Sequence, residues 1–110
     1  MSITIKQGDS VAIFLDLTVN GQTLTPDMVD DLEVYIGEDL GYYYRNGGVK
    51  FDNATQRWYI WPTQEETFNL DEGIYKVQIR PKYRDLHVTV KGYDLDDKIK
   101  VKGTASREVL

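Results

Sequence analysis

The sequence predicts an all-β domain, a sandwich of about seven antiparallel strands with one or two short helical turns. Three observations carry that expectation. Apolar residues recur at every second position in several short runs, as strands with one buried face require. Clusters rich in Gly, Asn and Asp separate those runs at short, regular intervals. The chain has 110 residues, enough for one such core and too few for two.

Ile3 and Ile5 form a short alternating start closed by the turn Gln7-Gly8-Asp9. Val11, Ile13, Leu15, Leu17 and Val19 then alternate with Asp16 and Thr18, which reads as one long strand. Asn20-Gly21 tolerates the positive φ angles of a type I′ turn, so Val19 should pair with Gln22 in a tight hairpin. Thr25-Pro26-Asp27-Met28 places a capping residue before Pro at the first helical position, which predicts a short helical connector. Leu32, Val34 and Ile36 alternate with Glu33 and Tyr35 in the next strand, which Gly37 ends. Gly41 to Gly48 reads as a hairpin returning through Val49-Lys50-Phe51-Asp52, and Arg57 to Trp61 is an aromatic strand stopped by Pro62.

Thr63-Gln64-Glu65-Glu66 has capping-box spacing and predicts one helical turn crossing between the sheets. In the following strand Tyr75, Val77 and Ile79 face inward, with Lys76, Gln78 and Arg80 outward. Pro81 lacks the N–H of a ladder residue, so pairing should weaken there. Leu86, Val88 and Val90 alternate as a further strand; Ile99 and Val101 form the last, with Lys98, Lys100 and Lys102 on its outer face. The reading gives one domain over 1–102 and a C-terminal tail over 103–110.

Composition excludes several function classes. A net charge of −5 argues against general nucleic-acid affinity, which needs many cations to neutralise phosphates. Zero cysteines remove disulfides, thiol nucleophiles and thiolate metal sites. No apolar run approaches the ~20 residues that span a bilayer, so no membrane insertion is expected. Met1 to Lys6 lacks the basic start and apolar stretch of a secretion signal.

Asp71, Gly73 and Tyr75 stand at the Asp-x-Gly-x-Tyr spacing found at the penultimate strand of immunoglobulin-like domains, and the chain resembles them there. The resemblance implies a tyrosine corner, with the Tyr75 hydroxyl bonding back to the backbone. Val77 replaces the cysteine of antibody domains, so the chain resembles a disulfide-free member. A wider resemblance rests on Gln7-Gly8-Asp9, the Trp58 strand, Thr63 to Phe68, Gly73-x-Tyr75-x-Val77-Gln78-Ile79-Arg80, and Ser106-Arg107-Glu108-Val109-Leu110. These together look similar to small phage or prophage structural proteins of Gram-positive hosts, such as the N-terminal domain of baseplate upper proteins. That resemblance implies a virion module made in the host cytoplasm, partnered by phage structural proteins or by itself. It implies no catalytic residue, cofactor or metal.

Chemistry is thinly signalled. Acid/base hydrolysis needs two carboxylates converging on one cleft, whereas the pairs Asp30-Asp31, Glu38-Asp39, Glu65-Glu66, Asp71-Glu72 and Asp96-Asp97 read as solvated turns and a helix start. Asp94, Asp96 and Asp97 lack the Gly and distal Glu of a calcium loop, and His87 is the only histidine. Recognition is better supported. Tyr42, Tyr43 and Tyr44 cannot all face one core in an extended segment, so at least one should be exposed for a protein or glycan, or lie over the rim. Trp58 and Trp61 should point to opposite faces, and an exposed Phe14 would mark a second packed surface. Neighbouring last strands would join Lys76, Gln78 and Arg80 to Lys98, Lys100 and Lys102 in a basic face that docks an acidic subunit or is balanced by Glu33.

Overall fold

The computed structural model describes residues 2–84 and 90–110. Among the described residues eight strands build two sheets. One has the order β1-β10-β9-β5-β6, from Ser2–Lys6 (β1), Tyr93–Lys102 (β10), Gly73–Tyr83 (β9), Val29–Ile36 (β5) and Leu40–Tyr43 (β6). The other has the order β2-β8-β7, from Ile13–Leu15 (β2), Arg57–Ile60 (β8) and Val49–Asp52 (β7). A two-stranded hairpin, Thr18–Val19 (β3) with Gln22–Thr23 (β4), stands beside them. The chain visits the sheets in the alternation of an immunoglobulin-like sandwich: β2, then β5 and β6 opposite, then β7 and β8, then β9 and β10.

Alternation explains the core. Val34, Ile36, Val77, Ile79, Ile99 and Val101 project from the five-stranded sheet onto Ile13, Leu15, Val49, Trp58 and Ile60 of the other, in one contiguous cluster. Trp58 lies at its centre, fully buried, with Tyr44 and Phe51 edge-on at 5.4 and 5.0 Å. Its indole N–H donates to the Leu24 carbonyl at 2.8 Å. The short connectors form where their caps predict. Thr63 Oγ1 accepts from Glu66 N and Glu66 Oε1 accepts from Thr63 N, closing a capping box on the one-turn helix α1, Gln64–Phe68, between β8 and β9. Pro26–Met28 is a 3-10 turn, and the hairpin turn has φ of 50° at Asn20 and 77° at Gly21, with Val19 paired to Gln22.

Two expectations need correction. The run from Val11 to Val19 is two strands: Ile13, Leu15 and Leu17 are buried as the alternation requires, but Val11 is 45% exposed and the ladder stops at Leu15. The chain leaves the sheet there to make the β3–β4 hairpin, where Leu24 N donates to the Leu17 carbonyl. The sheet pairing is not wholly antiparallel, because β1 runs parallel to β10 from Ser2↔Lys98 to Lys6↔Lys102. After the Gln7–Asp9 turn the chain crosses to the opposite sheet, so β1 does not fold back on its neighbour in sequence. Pairing does weaken at Pro81, as its missing N–H predicts: the residue is buried and opposite Leu32 within β9, but the β10 ladder is interrupted between Ile79 and Lys82. His87 and the proposed strand residues Leu86 and Val88 lie outside the described residues. The tail over 103–110 forms no helix or strand; Arg107 Nη1 donates to Gln7 Oε1 at 2.8 Å and Leu110 N to Gln64 Oε1 at 2.9 Å.

Candidate interaction surfaces

The Asp71-x-Gly73-x-Tyr75 motif is structural. The Tyr75 hydroxyl donates to the Asp71 carbonyl at 2.7 Å, and Gly73, with φ of 156°, turns the chain into β9. Locking this corner fixes the register of β9, which sets the rest of the outer face.

That face divides by charge. Toward β6 the cations are paired. Arg80 Nη1 lies 3.5 Å from Glu33 Oε1, and Arg45 bonds both Asp31 and Glu33, the latter at 3.0 Å, while its guanidinium covers the Tyr43 ring at 4.2 Å. The Tyr35 hydroxyl donates to Glu33 Oε1 at 3.0 Å and its ring meets Tyr43 edge-on. Burial, then hydrogen bonding with Tyr43 and Glu33, pushes the Tyr35 phenol up to about 12. Burial pushes the Asp31 carboxyl up, but bonds from the Arg45 side chain and the Leu32 and Arg45 amides outweigh it and hold it below the usual range. Arg80, expected in the basic face, is therefore tied to Glu33.

Toward β1 the cations stand alone. Lys76 is directly opposite Lys98, with Ser2 beyond; Lys100 is opposite Ile74, with Thr4 beyond; Lys102 lies beside Lys6. Among the described residues these five lysines form no ion pair, and Ile74 is 64% exposed in their midst. Like charges directly opposite across a ladder destabilise it. Gln78 separates the two halves, paired to Asp94 on one side and Tyr35 on the other.

The tyrosine run does not form one exposed surface. Tyr42 turns into the core, 7% exposed, and is unavailable for docking. Its phenol is pushed up by burial and by the nearby Glu66 carboxylate. Tyr43 is half-buried on the five-stranded face, and Tyr44 enters a 3-10 turn, Tyr44–Asn46, that lays its ring on Trp58. The change from strand to 3-10 turn breaks the alternation that would have exposed one ring fully.

The exposed aromatics lie on the opposite sheet. Trp61, the residue after β8, is 59% exposed and continues the outward parity of Arg57 and Tyr59. Phe14 on β2 stacks against Tyr59 at 5.3 Å and beneath Arg57 at 5.1 Å, and Arg57 Nε bonds Asp16 at 2.8 Å. The spacing 57, 59, 61 was the available signal, since Trp58 and Ile60 claim the inner side.

Among the described residues no three of His, Asp or Glu form a set able to hold a metal. Among the described residues no helix is long and apolar enough to cross a membrane. Comparisons of the chain with protein-family models, with curated proteins and with solved structures find no match.

Proposed function

We propose that the chain is a non-enzymatic interaction module that docks an acidic protein surface, or a second copy of itself, through the lysine half of its five-stranded sheet. One observation carries the reading. Lys6, Lys76, Lys98, Lys100 and Lys102 cluster around exposed Ile74 and form no ion pair among the described residues, although the chain as a whole is acidic. An acidic partner would neutralise the repulsion that the free fold leaves, and Ile74 supplies the apolar contact around which such a surface desolvates. The setting within a phage or prophage particle rests on the sequence resemblance alone. The protein is expected to self-associate in light scattering or to be retained on purified phage tail, baseplate or head proteins, in either case released by raised salt. A strict monomer that is also not retained overturns the proposal.

The exposed position of Trp61 beside Tyr59 and Phe14 favours a second reading, a glycan-binding module that uses the three-stranded face. On a glycan array, specific binding should appear with wild type and weaken with Trp61→Ala; an unchanged profile removes this reading.

A further inference from the structure

We infer that the lysine strip finds its acidic counterpart on the same face of a second copy, so that two chains stack their five-stranded sheets across a two-fold axis. This names the partner of the surface proposed above and rests on that reading. The pattern lies along β10. Its outward side chains are Asp94, Asp96, Lys98, Lys100 and Lys102, all exposed, while Tyr93, Leu95, Ile99 and Val101 turn inward. The strand therefore changes sign at one point, between Asp96 and Lys98. Neither Asp94 nor Asp96 forms an ion pair among the described residues, so the acidic end is as unpaired as the basic one.

The register extends the pattern across the sheet. On β9, Gln78 stands opposite Asp94, Lys76 opposite Lys98 and Ile74 opposite Lys100. Four residue steps on β10 from Asp94 to Lys98 match two on β9 from Gln78 to Lys76, and because the excess is even the outward parity survives the bulge. Arg80, farther along β9, is already paired with Glu33.

Symmetry selects the arrangement. Two stacked sheets can be related by a two-fold axis in the plane between them, running either along the strands or across them. An axis along β10 sets lysine over lysine and aspartate over aspartate. An axis across it, between Asp96 and Lys98, reverses the strand; Asp96 then faces the partner's Lys98 and Asp94 faces the partner's Lys100, each contact being made twice. The ~10 Å between stacked sheets accommodates an extended lysine meeting a carboxylate. Stacked sheets are turned by about 30°, which displaces residues far from the axis, but Asp96 and Lys98 flank the axis itself.

The same operation carries Ile74, 64% exposed, over the partner's Gln78. A hollow of about 280 Å³ opens there, bordered by Gly37, Lys76, Gln78 and Asp94. The isoleucine leaves water inside a ring of ion pairs, as the apolar centre of an interface does. Lys6 and Lys102, at the far end of the strip, fall beyond the partner's Asp94 and stay at the margin. A contact built mainly of exposed ion pairs is weak and salt-sensitive.

The test is sedimentation equilibrium of the full chain at low and raised salt, with two charge-reversed variants. Wild type should dimerise at low salt and dissociate as salt rises. Lys98→Asp with Lys100→Asp extends the acidic end, and Asp94→Lys with Asp96→Lys makes the whole strip basic; each alone should self-associate about tenfold or more weakly than wild type. Mixed in equal amounts, the two should form a heterodimer at least as tight as the wild-type dimer, because every reversed charge then meets its opposite. All four positions are exposed, and circular dichroism checks that folding is retained. Should a double variant fail to fold, Lys98→Asp and Asp96→Lys as single variants give the same complementation at the axis. A strictly monomeric wild type, a dimer that Asp94→Lys with Asp96→Lys leaves intact, or loss in both variants without recovery on mixing overturns the inference. The reading above has a separate result: wild type retained on acidic phage proteins, and released by Lys98→Asp with Lys100→Asp, would keep the lysine strip as a docking surface for another partner.

Discussion

Trp58→Ala is expected to lower the unfolding free energy by about 3–5 kcal/mol in urea or thermal denaturation. A domain of this size commonly has about 5–15 kcal/mol in total, so the variant would sit near the limit of folding at 37 °C. Two effects add. Truncation leaves a cavity bordered by Tyr44 and Phe51, neither of which belongs to the main ladder of inward aliphatics. It also strands the Leu24 carbonyl, which accepts the indole N–H in a buried setting. Trp58→Phe separates the two, keeping an aromatic ring while losing the donor, and should cost less than alanine. A loss under about 1 kcal/mol for Trp58→Ala would show that the sandwich does not close around this ring.

Lys98→Glu should raise stability while abolishing docking. The side chain faces Lys76 directly, so reversal turns a repulsive cross-strand pair into an attractive one, worth about 0.2–1 kcal/mol at an exposed site. Retention on an acidic partner should fall by about tenfold or more in the same variant, because the new carboxylate opposes the partner's charge at the centre of the strip. The opposite signs are what distinguish a working surface from a merely solvated one. If Lys98→Glu stabilises the fold and leaves retention unchanged, the lysine half of the sheet is not the docking face.

Features set by a few adjacent residues were legible in the sequence. The Asn20-Gly21 turn, the Thr63–Glu66 capping box and the Tyr75 hydroxyl bond each depend on backbone geometry within five residues, and each forms as read. So does the opposition of Trp58 to Trp61, which follows from strand parity alone. What depended on which strands become neighbours was not legible. Arg80 is neutralised by Glu33, distant in sequence, and only the β5–β9 register of Glu33 against Arg80 makes them partners. Tyr42, Tyr43 and Tyr44 diverge because the strand gives way to a 3-10 turn at Tyr44, after which alternation no longer sets direction. The lysine strip was read correctly along β10, yet its extension to Lys6 required knowing that β1 lies parallel beside it.

That parallel pair has a mechanical consequence. Force entering at Ser2 and leaving at Lys102 pulls β1 and β10 in opposite directions along their common axis, since the two strands run the same way from Ser2↔Lys98 to Lys6↔Lys102. The load is then shared by every rung of that ladder at once, whereas an antiparallel terminal pair would be peeled open one bond at a time. Rupture requires the whole set to fail together, so the sandwich should resist tension applied through its ends far better than its modest size would indicate.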